Sequence, residues 1–338
     1  MNVAVSLMIY GSMVATFGPT VLRRLTWRGV APRLGVLAWL VAIAGALGAW
    51  AIASGMLIVE FATYWHPADI LHDCYTALAT PMRLHGDLLI QLGTLTSAAL
   101  VAAALVGILT HVTRAMVQMR RKTIAHARAV RMVGRRVPGV GAVVLDSPER
   151  QAYCVAGRPD TIVVTSAAVD ALTEQQLAAV LAHEHAHLSE RHAGLLRFLR
   201  GIAIALPGMR LATDGEQEIG RLLEMCADDT AARRHGREPL LGGLLAIVGA
   251  TEPLPAGALS AAATAVLVRA ERLVAPVGPV RRATNRTALL AVMAATVVGL
   301  LEIAVGVLFC STVGAFDQYV LGPGAGDTEL LPAEHRSE

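Results

Sequence analysis

The sequence predicts a mostly α-helical, multi-pass membrane protein that carries an α+β domain between its third and fourth membrane helices. Hydrophobic residues make up 54% of the 338 residues. The mean hydropathy is +0.54, which is too apolar for an ordinary soluble domain of this length. A helix needs about 20 apolar residues to cross a bilayer. Four segments meet that length: Val3–Leu22, Leu34–Val59, Leu88–Thr110 and Ala288–Cys310.

The first of these segments is predicted to be a retained membrane helix. It lacks a basic stretch before it and is followed by four arginines, which is the reverse of the charge pattern of a cleaved signal peptide. Two further apolar stretches are weaker. Leu195–Met209 is short and contains two arginines, and Pro239–Val268 is broken by glycine and proline. We interpret both as core or interface helices.

Positive charge predicts the orientation of the chain, because loops rich in lysine and arginine stay in the cytoplasm. Such residues follow the first and third segments and precede the fourth, whereas Glu60–Asp87 holds one arginine against four carboxylates. The amino terminus is therefore predicted to lie outside, residues 111–287 in the cytoplasm and the carboxyl terminus outside. We attribute the basic run Arg114–Arg136 to attraction by anionic lipid, since no nucleic-acid motif accompanies it.

The pentapeptide HEHAH follows the H-E-x-x-H pattern inside a run of alanine, valine and leucine. Thr173 and Gln176 form a predicted capping box just before it, which places the pattern on a helix. Histidines four residues apart share one helical face, so His183 and His187 can bind one Zn²⁺. Glu184 stands beside them, where it can take a proton from water during hydrolysis. A surface helix with solvated histidines is the alternative, and the apolar surroundings disfavour it.

A catalytic zinc site needs a third protein ligand and one open coordination position. His192 is the nearest candidate, but the extended pattern that ends in a third histidine would need it at the position of Ala193. Glu224 is the better candidate, because an E-x-x-x-D downstream of H-E-x-x-H can complete a His₂Glu set. Asp228 lies on the same predicted helix face and can accept the second ring N–H of a ligand histidine.

Four stretches within about residues 140–235 resemble the gluzincin core of integral-membrane peptidases. They are Ala152–Val155, Thr161–Ser166, Leu172–Glu184 and Glu224–Asp228. Two branches share this core, the HtpX/Ste-type membrane proteases and the BlaR/MecR-type regulatory metallopeptidases. The resemblance implies a zinc-dependent endopeptidase with one Zn²⁺ per chain, held by His183, His187 and Glu224, with Glu184 as the base. It also implies that the strand near Tyr153 aligns an extended substrate by strand addition.

The predicted order, with the peptidase domain between the third and fourth spans, is closer to the BlaR/MecR branch. That branch implies a regulatory protease in signal transduction that cleaves a cytoplasmic BlaI/MecI-like winged-helix repressor. Only 28 residues follow Cys310, so the penicillin-binding sensor domain of that branch is expected to be lacking. An HtpX-like protease for membrane-protein quality control is the alternative. A non-catalytic membrane scaffold is a second alternative.

The chain is thus predicted to have four parts. These are three membrane helices with short loops (1–110), the cytoplasmic metallopeptidase domain (111–287), a fourth membrane helix (288–312) and an outer tail (313–338). The expected partners are a protein substrate and the lipid bilayer, with no direct contact to nucleic acid.

Glu302 lies in the fourth span, where an acid is either functional or structural. Cys74 and Cys310 are both placed at or beyond the outer face and are candidates for pairing, which nothing in the sequence demonstrates.

Overall fold

The computed structural model describes residues 3–64, 85–137, 141–248, 261–275 and 277–321. It is mostly helical with one small sheet, as the sequence predicts. In chain order its elements are α1 (Val3–Thr26), α2 (Pro32–Tyr64), α3 (His85–Val133), β1 (Arg135–Arg136), β2 (Val143–Leu145), β3 (Ala152–Val155), β4 (Thr161–Thr165), α4 (Ser166–Ala171), α5 (Glu174–Ser189), α6 (His192–Ala205), α7 (Arg210–His235), α8 (Arg237–Val248), α9 (Ala261–Val274) and α10 (Pro279–Leu321).

Three helices in the described ranges are long and apolar enough to cross a membrane, and they indicate a membrane protein. They are Val3–Thr26, Pro32–Ile58 and Pro279–Ile303, which correspond to the first, second and fourth predicted spans. The third predicted span, Leu88–Thr110, lies inside the 49-residue helix α3. Most of its side chains are outside the described part of the chain, so its insertion stays a prediction. Cys74 and the side chain of Cys310 are also outside that part, and Glu302 is exposed on α10.

The sheet has the strand order β1-β2-β4-β3. The central pair β2 and β4 is parallel, and the two outer pairs are antiparallel. β4 is the most buried strand, as expected for its apolar sequence TIVVT. β3, which contains Tyr153, forms one edge of the sheet among the described residues and packs beside α5. An edge strand next to α5 is positioned to pair with another extended chain.

The largest apolar core joins the candidate membrane helices to the domain. Trp39 of α2 is fully buried in it, together with Leu211 and Leu222 of α7. The two helices pack tightly at Gly215, where a Cβ atom would lie 3.0 Å from Ile43 Cδ1 and 3.3 Å from Trp39 Cε3. The amino-terminal half of α7 therefore runs along a candidate membrane span.

The turn between α1 and α2 is held by arginines of the domain. Arg221 of α7 donates to the carbonyl oxygens of Trp27 at 2.8 Å and Thr26 at 3.0 Å. Arg272 of α9 donates to the Gly29 carbonyl at 2.9 Å. Gly29 has a φ of 57°, and its missing side chain leaves room for the Met225 sulfur, which would lie 2.0 Å from a Cβ atom. These bonds fix the ends of two spans against α7.

The two weaker apolar stretches form helices of the domain rather than separate spans. Leu195–Met209 lies mostly in α6, where Leu199 and Ile202 are buried in the large core. Pro239–Val268 covers most of α8 and the start of α9, with residues 249–260 outside the described part of the chain.

Candidate metal centre

Helix α5 begins at the predicted capping box. The Gln176 backbone N–H donates to Thr173 Oγ1 at 3.3 Å, and the Thr173 N–H donates to Gln176 Oε1 at 3.1 Å. Its buried face carries Ala179, Ala182 and Ala186, whose small side chains let α7 approach closely. His183 lies on this face and is buried, so its imidazole points towards α7.

Three side chains from α5 and α7 converge on one point. His183 Nε2 lies 3.1 Å from His187 Nε2. Both nitrogens lie 3.4 Å from the carboxylate of Glu224, His183 from Oε2 and His187 from Oε1. The Glu224 side chain remains 41% exposed, so this side of the cluster opens to solvent. The structure thus brings together the three side chains predicted as zinc ligands.

The spacing of these ligand atoms fits a zinc ion. Nitrogen and oxygen ligands lie about 2.0–2.2 Å from zinc, so two ligands in a tetrahedral site are about 3.3–3.6 Å apart. The observed separations of 3.1 to 3.4 Å are close to that range. Two imidazoles and one carboxylate also form the donor set of catalytic zinc sites that keep a fourth position open. The residues present therefore fit a Zn²⁺ ion.

Asp228 lies behind His183, one turn beyond Glu224 on α7. Its Oδ1 atom is 3.1 Å from His183 Nδ1, although the ring N–H is not aligned for an ideal hydrogen bond. Burial works against a charged histidine, but the contacts with Asp228 and Glu224 raise the pKa of His183 to about 9. A carboxylate in this place fixes the ring so that its other nitrogen faces the metal position.

Arg269 of α9 neutralises Glu224 and Asp228 of α7. It donates from Nε and Nη2 to the two oxygens of Asp228 at 2.8 and 2.7 Å, and Nη1 lies 3.1 Å from Glu224 Oε2. Burial opposes ionisation of Asp228, but the hydrogen bonds from Arg269 and the nearby His183 ring lower its pKa to about 2. A planar guanidinium bonded to both carboxylate oxygens holds Asp228 in one orientation.

His192 lies next to the cluster but not in it. It is buried, and its Nδ1 atom is 2.9 Å from Nδ1 of His187, the ring nitrogen that faces away from Glu224. Its Nε2 atom is 3.4 Å from Glu190 Oε2. His192 therefore contacts the rear of a predicted ligand, whereas Glu224 is the third member of the cluster.

Glu184 lies beside the cluster and close to the edge strand β3. Burial raises the pKa of Glu184, and the positive charge of His183 acts in the opposite direction. The thiol and backbone N–H of Cys154 lie near the Glu184 carboxylate and also oppose the rise. Burial and the neighbouring Glu184 in turn raise the pKa of Cys154 to about 12, so its thiol stays protonated. A carboxylate with a raised pKa is suited to accept a proton near neutral pH.

A histidine pair on one helix, completed by a glutamate from a second helix and accompanied by a carboxylate base, is the arrangement of a zinc metallopeptidase. Residues 114–232 match the model of peptidase family M48, a family of zinc metallopeptidases. The match covers about a third of the chain and includes all of α5 and the α7 residues Glu224 and Asp228. No curated protein and no solved structure matches the chain. The enzyme is a zinc-dependent metallopeptidase with membrane helices.

Three contacts of the site were not anticipated from the sequence: Arg269 on Asp228, Cys154 beside Glu184, and His192 behind His187. For Arg269 a signal exists, because it lies four residues before the buried Leu273 on α9 and so shares its face. An arginine on the buried face of a helix indicates a buried acidic partner. The other two contacts depend on the relative placement of helices and strands, which the sequence does not reveal.

Proposed function

We propose that this protein is a membrane-embedded zinc endopeptidase in which His183, His187 and Glu224 hold one Zn²⁺. Asp228 orients His183, and Glu184 acts as the catalytic base. The proposal is carried by the convergence of the three ligand atoms within 3.1 to 3.4 Å of one another. A bound zinc ion would supply Lewis-acid chemistry, which polarises a peptide carbonyl and makes water more acidic.

The protein's own groups carry the proton transfers. Glu184 takes a proton from the attacking water and gives it to the leaving amine, and its raised pKa suits both steps. The substrate lies as an extra strand along β3, antiparallel or parallel, since that edge is unpaired among the described residues and lies beside α5. The intact Glu184 beside a complete ligand set argues against the scaffold alternative.

We further propose that the enzyme is regulatory and cleaves a cytoplasmic BlaI/MecI-like repressor. The support is the predicted order of the chain. Three spans lie within residues 1–110, the peptidase domain follows at 111–287, and a fourth span lies at 288–312. Quality control of membrane proteins, as in the HtpX branch, is the second candidate, and the M48 match supports peptidase activity in both. The contact of α7 with α2 keeps the site near the membrane surface, within reach of either substrate class.

The proposed topology places the amino terminus outside and residues 111–287 in the cytoplasm. In its support, the basic ends of α1 and α2 meet the domain: Arg23 lies 3.5 Å from Asp214, and Arg33 lies 2.7 Å from Glu190. Reporter fusions near residues 70 and 150 should report opposite sides of the membrane. A reporter that requires an extracytoplasmic location and is active at position 150 would exclude this topology.

One comparison tests the activity and the substrate together. Purified wild-type protein in detergent should contain about one zinc per chain, and Glu184→Gln should keep the metal but lose cleavage. Protein fragments in cells that express wild type or Glu184→Gln are then compared by mass spectrometry. Loss of one repressor fragment in the variant supports the regulatory role, because selective cleavage needs a specific site. A broad change among membrane proteins, with the repressor uncut, favours quality control.

A further inference from the structure

A cavity of about 650 Å³ lies on the domain side of the candidate spans, and none of the proposed metal ligands lines it. It is formed where the first turns of α2 and α10 meet the carboxyl-terminal ends of α7 and α9. Six arginines line it against a single carboxylate, that of Asp229. The arginines are Arg33, Arg233, Arg237, Arg272, Arg282 and Arg286.

Only two of these six arginines are paired with acidic groups among the described residues. Arg33 Nη2 lies 2.7 Å from Glu190 Oε1, and Arg272 Nη2 lies 2.7 Å from Asp229 Oδ2. Two others donate to neutral oxygens: Arg233 to the Thr230 hydroxyl and Arg282 to the Val277 carbonyl. The remaining two, at positions 237 and 286, make no hydrogen bond or ion pair with the residues that the structure describes. Such an excess of positive charge around one cavity favours a bound anion.

The position of the cavity indicates what kind of anion. Leu34 of α2 and Leu290 of α10 also line it, so the basic part adjoins the apolar surface of these two helices. Further along these two helices, Leu37 and Val297 are exposed. A phospholipid has its phosphate at the level where membrane helices begin and its acyl chains alongside them. A free phosphate ion would use only the basic half of this surface.

We propose that the cavity binds the headgroup phosphate of an anionic phospholipid, with the acyl chains along α2 and α10. The bound headgroup offsets the charge of the unpaired arginines and links α10 to the ends of α7 and α9. Arg272 lies one turn after Arg269 on α9, so the same helix contacts both the cavity and Asp228. The lipid therefore stabilises the packing of α9 against α7.

The test uses the full-length protein in an uncharged detergent. Phosphatidylglycerol is titrated against phosphatidylcholine with the same acyl chains, and binding is followed by native mass spectrometry and by the thermal unfolding midpoint. Wild type should bind phosphatidylglycerol preferentially and unfold at a higher temperature with it. The variant Arg237→Gln/Arg282→Gln should bind it about tenfold more weakly or worse. Both arginines are exposed and have no acidic partner among the described residues, so the fold should be retained.

The matched control is Arg234→Gln/Arg281→Gln, which removes the same charge from the neighbouring positions outside the cavity. It should change the affinity for phosphatidylglycerol less than about twofold. Equal weakening in both double variants would mean general surface attraction and would overturn the proposal. So would equal stabilisation by inorganic phosphate or glycerol phosphate, which would indicate a soluble anion. Neither measurement needs a substrate, so the result is independent of the proposed function.

Discussion

Arg269 and Asp228 form a two-pronged ion pair, with donor–acceptor distances of 2.8 and 2.7 Å. Asp228 is fully buried and Arg269 is mostly buried, and the same carboxylate lies 3.1 Å from His183 Nδ1. The orientation of a proposed ligand on α5 therefore depends on α9, a helix that lies beyond the matched residues 114–232. Three helices, rather than the two that carry the ligands, define the geometry of the site.

The first prediction concerns Arg269→Ala. Removing one member of a buried ion pair leaves Asp228 without its two-pronged partner and with only His183 nearby, which should lower the free energy of unfolding by about 3 kcal/mol. Because Asp228 then no longer holds His183 in place, zinc affinity should fall about 10- to 100-fold. Zinc affinity is measured by competition with a chromophoric chelator, and stability by thermal unfolding of the metal-free protein.

A second variant tests whether the two-pronged geometry of the Arg269–Asp228 pair matters, and a third serves as the control. Arg269→Lys keeps the charge but loses the fork of donors, so it should recover only part of both losses. Arg234→Ala removes an exposed arginine of α7 and should leave zinc affinity unchanged. Zinc affinity that is insensitive to Arg269→Ala would contradict the proposed role of Asp228.

The second prediction concerns the pH dependence of zinc binding. In the metal-free protein the pKa of His183 is about 9, because the contacts with Asp228 and Glu224 outweigh burial. Zinc binds the unprotonated ring, so each ion displaces one proton below that pH. Apparent zinc affinity should therefore rise about tenfold per pH unit between about pH 7 and 8.5. Chelator competition at several pH values gives the slope.

The raised pKa of His183 also makes the stability of the folded protein depend on pH. The folded-state pKa of His183 lies above the ordinary value of 6.5. In the metal-free protein, the contribution of the protonated His183 to the free energy of unfolding is fully present below pH 6.5. It is lost as the pH rises through 9. Asp228→Asn removes the acidic partner, so it should flatten the pH slope of zinc affinity above about pH 7. A wild-type affinity that is constant across this range would contradict the assignment.

The sequence predicts the local parts of the site better than its long-range contacts. The capping box of Thr173 and the i, i+4 spacing of His183 and His187 are local, and each has a direct geometric meaning. Glu224 could be proposed because an acidic pair at helical spacing, downstream of H-E-x-x-H, is typical of a third ligand and its supporting carboxylate. Arg269 pairs with Asp228 across 41 residues of chain, and no local pattern encodes that distance.

The membrane helices illustrate the same limit. Length and apolar composition suffice to predict the spans that become α1, α2 and α10, because crossing a bilayer is a requirement on each segment alone. They do not predict that Trp39 of α2 packs against Gly215 of α7. That contact depends on the shapes of two helices that lie far apart in the sequence.

The third prediction concerns Cys154→Ala. The Cys154 thiol is one of the groups that oppose the rise in the pKa of Glu184. Without it the pKa of Glu184 should rise further, so the acidic limb of kcat/KM should move to higher pH. In the wild type, the protonated Cys154 thiol should also react slowly with iodoacetamide.

Cys226→Ala serves as the control for Cys154→Ala. Cys226 is buried on α7, and it is not among the groups that shift the pKa of Glu184. This variant should leave the pH profile of kcat/KM where it is in the wild type. An acidic limb that stays in place in Cys154→Ala would mean that the thiol does not influence the pKa of the base.

The fourth prediction tests whether the span α2 and the metal-binding helix α7 act as one packed unit. Gly215→Val adds a branched side chain where Ile43 and Trp39 already lie 3.0 and 3.3 Å from a Cβ position. Overpacking of this kind should destabilise the protein by about 1 to 3 kcal/mol and push α7 away from α2. Since Glu224 lies on α7, zinc affinity should fall as well, which chelator competition measures alongside thermal unfolding.

Gly194→Ala is the control for Gly215→Val, because a Cβ there meets nothing within 4 Å. Unchanged zinc affinity in a destabilised Gly215→Val protein would show that the spans anchor the domain without positioning the site.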